Sequence, residues 1–227
     1  MCRAVRKREK IIIYGKGDFA KLMAHYFEKD SEYEVVAFCA DKEFIDADMF
    51  CGLPLLPVDG INKVFPPDSY KAFVAVGYRK MRRRREMFDV IKKQGYECVN
   101  YISSKSIIDK SVIIGENNAI LAGTILEPFV MIGNNNIIWT GATICHDVRI
   151  GSHCFIASQT VIGGFSIVED GCFLGFNSTV IQRVHIEKET FITAKSLIIR
   201  DTKPFTKYRG IPGKAVSTHE ETGIVVE

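Results

Sequence analysis

Residues 112–151 read VIIGENNAILAGTILEPFVMIGNNNIIWTGATICHDVRIG, and within them an aliphatic side chain returns at every sixth position. Ile114, Ile120, Leu126, Ile132, Ile138, Ile144 and Ile150 are consecutive members of a series that runs unbroken from Ile102 to Ile198. Two residues ahead of each member stands a small or modest side chain, as at Asn118, Thr124, Ala142, Cys154 and Ser166. Neither a helix nor a lone strand has a six-residue period. A solenoid of short strands does, because each strand then starts at the same phase as the last. Gly115, Gly133, Gly151, Gly163 and Gly175 each follow a member of the series. The pattern predicts that they occupy corners, in turn conformations other residues resist. The whole stretch reads as a hexapeptide β-helix with its aliphatic and small side chains turned inward.

The chain has 227 residues, so the repeat leaves roughly a hundred residues ahead of it, enough for a small α/β unit. The expected division is 1–101, 102–200 and a C-terminal cap or tail over 201–227. A net charge of +3 is too small to argue for nucleic acid as a partner. No apolar run reaches the ~18 residues of a membrane span. The opening MCRAVRKREK is basic, and no apolar core of signal-peptide length follows it. It reads as a short solvated tail. The seven cysteines are scattered and form no CxxC. Cys154 and Cys172 fall 18 apart at inward positions, where Cys serves as a small apolar residue. A reducing, cytoplasmic location is expected.

Ahead of the repeat, Lys10–Tyr14 reads as a buried strand, Gly15-Lys16-Gly17-Asp18-Phe19-Ala20 as a glycine turn, and Phe19–Phe27 as an amphipathic helix. Glu34–Cys39 and Lys71–Val76 are two further strands. A charged helix is expected over Arg79–Gln94, and Glu97–Tyr101 leads into the repeat. Strand alternating with helix implies a parallel, Rossmann-like sheet. The GxGxxA turn either packs strand against helix or lets a diphosphate approach the free N–H groups of the helix N-terminus. Asp41, past the second strand, is placed where an acid can bond a ribose hydroxyl. Half of a dinucleotide fold suits a mononucleotide such as a nucleotide-sugar. Gly77, Tyr78 and Arg79 follow a strand C-terminus, where open α/β sheets bind ligands. The run Arg82–Arg85 reads as a solvated helix face.

Of the five histidines, His25 lies on a predicted helix, His219 in the tail, and His153 and His185 on the outward phase of the repeat. His146 stands two residues past Ile144, at a corner, with Asp147 beside it to orient the imidazole. One 18-residue coil later comes Gly164. A base beside a bare amide N–H is the pair acyl transfer needs. The base takes a proton from the nucleophile, and the donor stabilises the oxyanion. No Ser-His-Asp or Cys-His signature is visible, which favours direct attack by the acceptor.

The chain resembles the bacterial nucleotide-sugar N-acetyltransferases that join a small Rossmann-like domain to a left-handed parallel β-helix, within the sialic-acid O-acetyltransferase-type family. The resemblance rests on Gly15-Lys16-Gly17, Val74-Ala75-Val76-Gly77, the His146–Asp147 pair, Gly164, Gly175-Phe176-Asn177-Ser178 and Gly210-Ile211-Pro212-Gly213-Lys214. It covers nearly the whole chain. It alone supplies the handedness, since ordinary parallel crossovers are right-handed. It implies a triangular coil of three hexapeptides, coils stacked about 4.8 Å apart, and a homotrimer with acetyl-CoA lying in the groove between two β-helices.

The family's roles, carried over, make His146 the general base, Asp147 its partner and Gly164 the oxyanion donor. Gly164, Phe176, Ala194, Lys195 and Lys214 would then contact acetyl-CoA. Gly15, Lys16, Gly17, Asp41, Gly77, Tyr78 and Arg79 would hold the nucleotide-amino-sugar. Gly213, Ala194 and Lys195 depart from the Ala and Gly residues many relatives carry there. The implied acceptor is a 4-amino-4,6-dideoxyhexose destined for a surface glycan, with no metal, no nucleic acid and no membrane span. An O-acetyltransferase of the same fold and a non-catalytic nucleotide-sugar-binding protein are the rivals. A zinc enzyme of the β-helix carbonic anhydrase kind needs three convergent histidines, and the positions stacked with His146 are Gly164 and Gln182.

Overall fold

A computed structural model describes residues 8–226. The expectations for the basic opening and for Cys2 lie largely outside them. The chain divides into two compact units, one running to Val76 and including Met87–Val99, the other holding Gly77–Glu86 and the chain from Asn100 on.

The first unit is an α/β sheet. Strand β1 (Glu9–Tyr14) is central and leads through Gly15–Gly17 into helix α1 (Asp18–Lys29). It pairs in parallel with β2 (Tyr33–Ala40) on one side. A two-residue strand, β3 (Met49–Phe50), precedes β4 (Leu53–Pro57), which joins β2 in parallel. Past the short helix α2 (Ile61–Val64), β5 (Lys71–Val74) flanks β1 on its other side. Ile11, Ile12, Ile13 and Tyr14 are all buried, which fits a strand packed on both faces. Amphipathic α1 turns Ala20, Met23 and Phe27 inward. The sequence reading missed β4, because Pro54 and Pro57 are poor strand residues. Helix α3 (Met81–Lys93) starts two residues later than expected.

The second unit is a left-handed parallel β-helix. Its seventeen two-residue strands run from Tyr101–Ile102 to Leu197–Ile198, one per hexapeptide. Each pairs in parallel with the strand 18 residues on, as in Thr143↔Val161 and Ile144↔Ile162. Three sheets result. The first face holds the strands at residues 107, 125, 143, 161, 179 and 197, and the second those at 113, 131, 149, 167 and 185. The third holds those at 101, 119, 137, 155, 173 and 191, extended by the C-terminal strands Thr206–Arg209 and Lys214–Thr218. The aliphatic series forms the core, from Ile120 to Ile198, with the small inward residues Ala142, Val148, Cys154 and Cys172 beside it. The six described cysteines are free thiols.

Buried polar residues in the small inward positions satisfy one another from coil to coil. Asn118 Oδ1 accepts from the Asn136 N–H at 2.9 Å, and Asn136 Oδ1 from the Cys154 N–H at 2.7 Å. Their amides donate to Gly133 O and Gly151 O, both at 2.9 Å. A buried amide costs little only when its partners are supplied in this way.

The corner glycines work differently from the expectation. Gly115, Gly133, Gly151, Gly163 and Gly175 do not adopt positive φ. They are required by the close approach of the next coil. A Cβ on Gly163 would stand 2.5 Å from Gln182 N, and one on Gly175 2.5 Å from Ala194 N. The left-handed residue comes two positions later, at Asn117, Gly123, Asn135, Gly141, Asp147, His153, Phe165 and Arg183 among others.

The Arg82–Arg85 run also departs from a solvated face. Arg84 is fully buried and donates to Asn135 O at 2.7 Å and His153 O at 3.0 Å. Asn135 Nδ2 donates back to Arg84 O at 3.1 Å. Arg82 pairs with Glu189 at 2.9 Å. The ring of Tyr78 lies 4.9 Å from that of Phe155. Residues 77–86 thus clothe the third face.

Candidate active site

Three edges separate the faces. The first edge, between faces one and two, carries His146, Asp147 and Gly164. The peptide leaves the strand Thr143–Ile144 and reverses at Asp147, whose φ of 60° is one that Asp tolerates better than most residues. This reversal swings the carboxylate back, and His146 Nδ1 lies 3.0 Å from Asp147 Oδ2. The Asp147 N–H donates to Pro128 O at 3.1 Å. The His146 N–H donates to Glu127 Oε2 at 2.8 Å. Both residues of the pair are partly open to solvent.

Directly beneath the imidazole lies Gly164. A Cβ at that position would meet His146 Cε1 at 2.8 Å, Nε2 at 2.9 Å and Nδ1 at 3.3 Å. Only a residue without a side chain lets the ring rest there. Among the described residues the Gly164 N–H donates to no partner, while its carbonyl accepts from Arg183 N at 2.9 Å. The next residue, Phe165, sets its ring edge-on to the imidazole, centroids 5.0 Å apart and planes at 86°. Arg183 places its guanidinium 4.5 Å from the centre of that phenyl ring.

Phe176, Ala194 and Lys195 fall on the third edge, between faces three and one. The spacing of 18 stacks Phe176 and Ala194 but puts both across a face from His146 in the same subunit. All three are exposed, and Lys195 takes φ 58°. Lys214 opens the last strand and is exposed.

In the first unit, Gly15 has φ 141°, and a Cβ there would lie 2.4 Å from Ala75 O. Gly17 caps α1. The Lys16 ammonium donates to Phe44 O at 2.7 Å and pairs with Asp46, whose carboxyl that hydrogen bond holds below its ordinary range. Asp41 accepts from the Tyr14 hydroxyl at 2.6 Å. Gly15, Lys16, Gly17 and Asp41 therefore share the carboxyl end of this sheet. Gly77, Tyr78 and Arg79 belong to the second unit, where Arg79 O accepts from Val226 N at 3.0 Å.

Sequence reasoning overlooked Tyr14, Glu127, Phe165 and Arg183. Asp147, Phe165 and Arg183 recur at 18 along one edge, so the spacing that singled out Gly164 also reaches its neighbours. Glu127 sits 19 before His146 and carried no comparable signal.

The profile of the PglD N-terminal domain family matches residues 10–87. That of the bacterial transferase hexapeptide repeat matches residues 111–145 and 129–164. Among solved structures, the acetyltransferase domain of PglB from Neisseria gonorrhoeae FA1090 aligns over 92% of this chain and 100% of its own, with a TM-score of 0.83 and 20% identity. A perosamine N-acetyltransferase variant from Caulobacter crescentus, solved with CoA and GDP-perosamine, is 25% identical. It aligns over 92% of this chain and 97% of its own with a TM-score of 0.82. WeeI from Acinetobacter baumannii AYE covers 91% of this chain and 99% of its own at 21% identity and a TM-score of 0.77. The chain therefore carries a PglD N-terminal domain followed by bacterial transferase hexapeptide repeats, wound into the left-handed β-helix that these acetyltransferase structures share.

Proposed function

We propose that the protein transfers the acetyl group of acetyl-CoA to the amine of a nucleotide-linked amino-deoxy-sugar of the 4-amino-4,6-dideoxyhexose class. The observation that carries this reading is the His146–Asp147 pair, 3.0 Å apart, resting on a glycine. With Nδ1–H donating to Asp147, Nε2 is the basic nitrogen. His146 takes the proton as the amine attacks the thioester carbonyl, and the Gly164 N–H is the oxyanion donor. CoA leaves as the thiolate. No covalent acyl-enzyme is involved.

The nucleotide is assigned to the first unit, at Gly15, Lys16, Gly17 and Asp41. Acetyl-CoA is assigned to Gly164, Phe176, Ala194, Lys195 and Lys214. Because His146 and Phe176 stand on different edges, one groove holds both sets only where the first edge of one subunit meets the third edge of another. A homotrimer provides that meeting. Exposed Ile113, Met131 and Ile167 on the second face, with Arg149 between the last two, support assembly through the prism. Domain limits at 101/102 and 200/201 and a cytoplasmic location complete the proposal. No helix of the described residues is long and apolar enough to cross a membrane.

The experiment is a thiol-release assay of acetyl-CoA against UDP-, dTDP- and GDP-linked amino-sugars, with hydroxyl acceptors such as sialic acid alongside. Amine-dependent release that falls about 10²-fold or more in His146→Ala supports the reading. Release with hydroxyl acceptors alone, or a fully active His146→Ala, refutes it.

A further inference from the structure

Phe165 places a half-exposed aromatic ring at the corner beside the proposed base. Its φ is 61°, in the left-handed region that bulky residues avoid, and 44% of its surface is exposed. Phe129, Asp147 and Arg183 take the same conformation at the equivalent position of other coils, so it belongs to the fold, and what singles out Phe165 is what its ring meets. Two ring contacts define its surroundings. One is the imidazole of His146, edge to face at 5.0 Å. The other is the Arg183 guanidinium, 4.5 Å from the ring centre, on a side chain that forms no ion pair among the described residues. The edge stacks these groups at successive coils, since Arg183 N donates to Gly164 O at 2.9 Å and Phe165 N to His146 O at 3.1 Å.

Building on the assignment of His146 as the base, we infer that Phe165 is a positioning residue for its imidazole and that Arg183 holds Phe165 in place. Three supports surround the ring. The Asp147 carboxylate takes Nδ1, the Gly164 backbone forms the floor, and the Phe165 ring forms a wall at right angles to the imidazole plane. Asp147 and Gly164 leave the ring free to swing away from the edge about its side-chain torsions. An aromatic wall removes that freedom, so Nε2 stays where the acceptor amine arrives. Arg183 contributes through the phenyl face, where a guanidinium is attracted by the ring quadrupole. A small misplacement of a catalytic group costs rate and leaves binding largely intact.

The test uses the full chain and compares steady-state acetyl transfer by the wild type, Phe165→Asn, Phe165→Tyr, Arg183→Ala and the double variant. Asn tolerates the left-handed region, so Phe165→Asn retains the melting temperature. Its kcat is expected to fall on the order of tenfold with KM within about twofold. Phe165→Tyr restores the rate. Arg183→Ala gives a smaller loss that adds nothing on top of Phe165→Asn. Wild-type kcat in Phe165→Asn overturns the inference. So does a raised KM at unchanged kcat, which would make Phe165 a substrate contact, or failure of Tyr to rescue. His146→Ala in the same assay separates the two readings, because an active His146→Ala defeats the base assignment whatever Phe165 does.

Discussion

A Cβ added to Gly164 would stand 2.9 Å from His146 Nε2, closer than real Cβ atoms approach any ring nitrogen. The backbone of Gly164 is not in the left-handed region, so alanine is conformationally acceptable there. The clash falls on the imidazole alone. Gly164→Ala is therefore expected to fold with a near-normal melting temperature and to lose about 10- to 100-fold in kcat/KM for acetyl transfer. Thermal unfolding alongside steady-state kinetics checks this. A destabilised protein with intact specific activity would show that the glycine serves packing instead.

Asp147 combines two duties that one substitution separates. Its φ of 60° suits Asn as well as Asp, while only Asp supplies a charge 3.0 Å from Nδ1. Asp147→Asn keeps the turn and removes the charge. On the proposed mechanism its kcat falls about tenfold while thermal stability changes by less than about 0.5 kcal/mol. Asp147→Ala adds strain at a left-handed position and lowers the melting temperature as well.

The helical core was legible because a six-residue period is hard to produce any other way. Ile144 and Ile162 pair in register 18 residues apart, as the count requires. That spacing also carried His146 to Gly164. It erred about the corner glycines, because a sequence shows which residue lacks a side chain and not whether torsion or a neighbouring backbone demands it. Strand β4 went unseen since its two prolines resemble loop. The third-edge position of Phe176 and Ala194 was readable by counting hexapeptides past Ile144, three to a coil. Arg84 offered no signal, because its partners are main-chain carbonyls that any residue presents.

Arg84 yields a stability prediction. Burial pushes its guanidinium down to about 10, and no carboxylate among the described residues compensates it. It persists through bonds to Asn135 O and His153 O and the return bond from Asn135 Nδ2. Arg84→Ala strips those buried carbonyls of their donors and leaves a cavity. A loss of about 3 kcal/mol is expected by urea denaturation. Arg84→Met refills most of the volume and is expected to cost less, since an apolar isostere removes the buried charge.

Cys145 lies one residue from the proposed base, and its thiol is raised above the ordinary range by burial first and by the Glu127 carboxylate second. The thiolate is the reactive form, so near neutral pH Cys145 is expected to alkylate more slowly than exposed Cys51. As pH rises its rate climbs later than that of an unhindered thiol. Glu127→Gln removes the second cause and leaves the first, giving a small acceleration at Cys145 with none at Cys51. It also replaces a charged acceptor of the His146 N–H with a neutral one of the same shape. Iodoacetamide labelling across pH, read by peptide mass spectrometry on the wild type and Glu127→Gln, measures both. Equal acceleration at the two cysteines would mean the substitution loosened the chain generally, and no change at Cys145 would mean the carboxylate is too well solvated to act on the thiol.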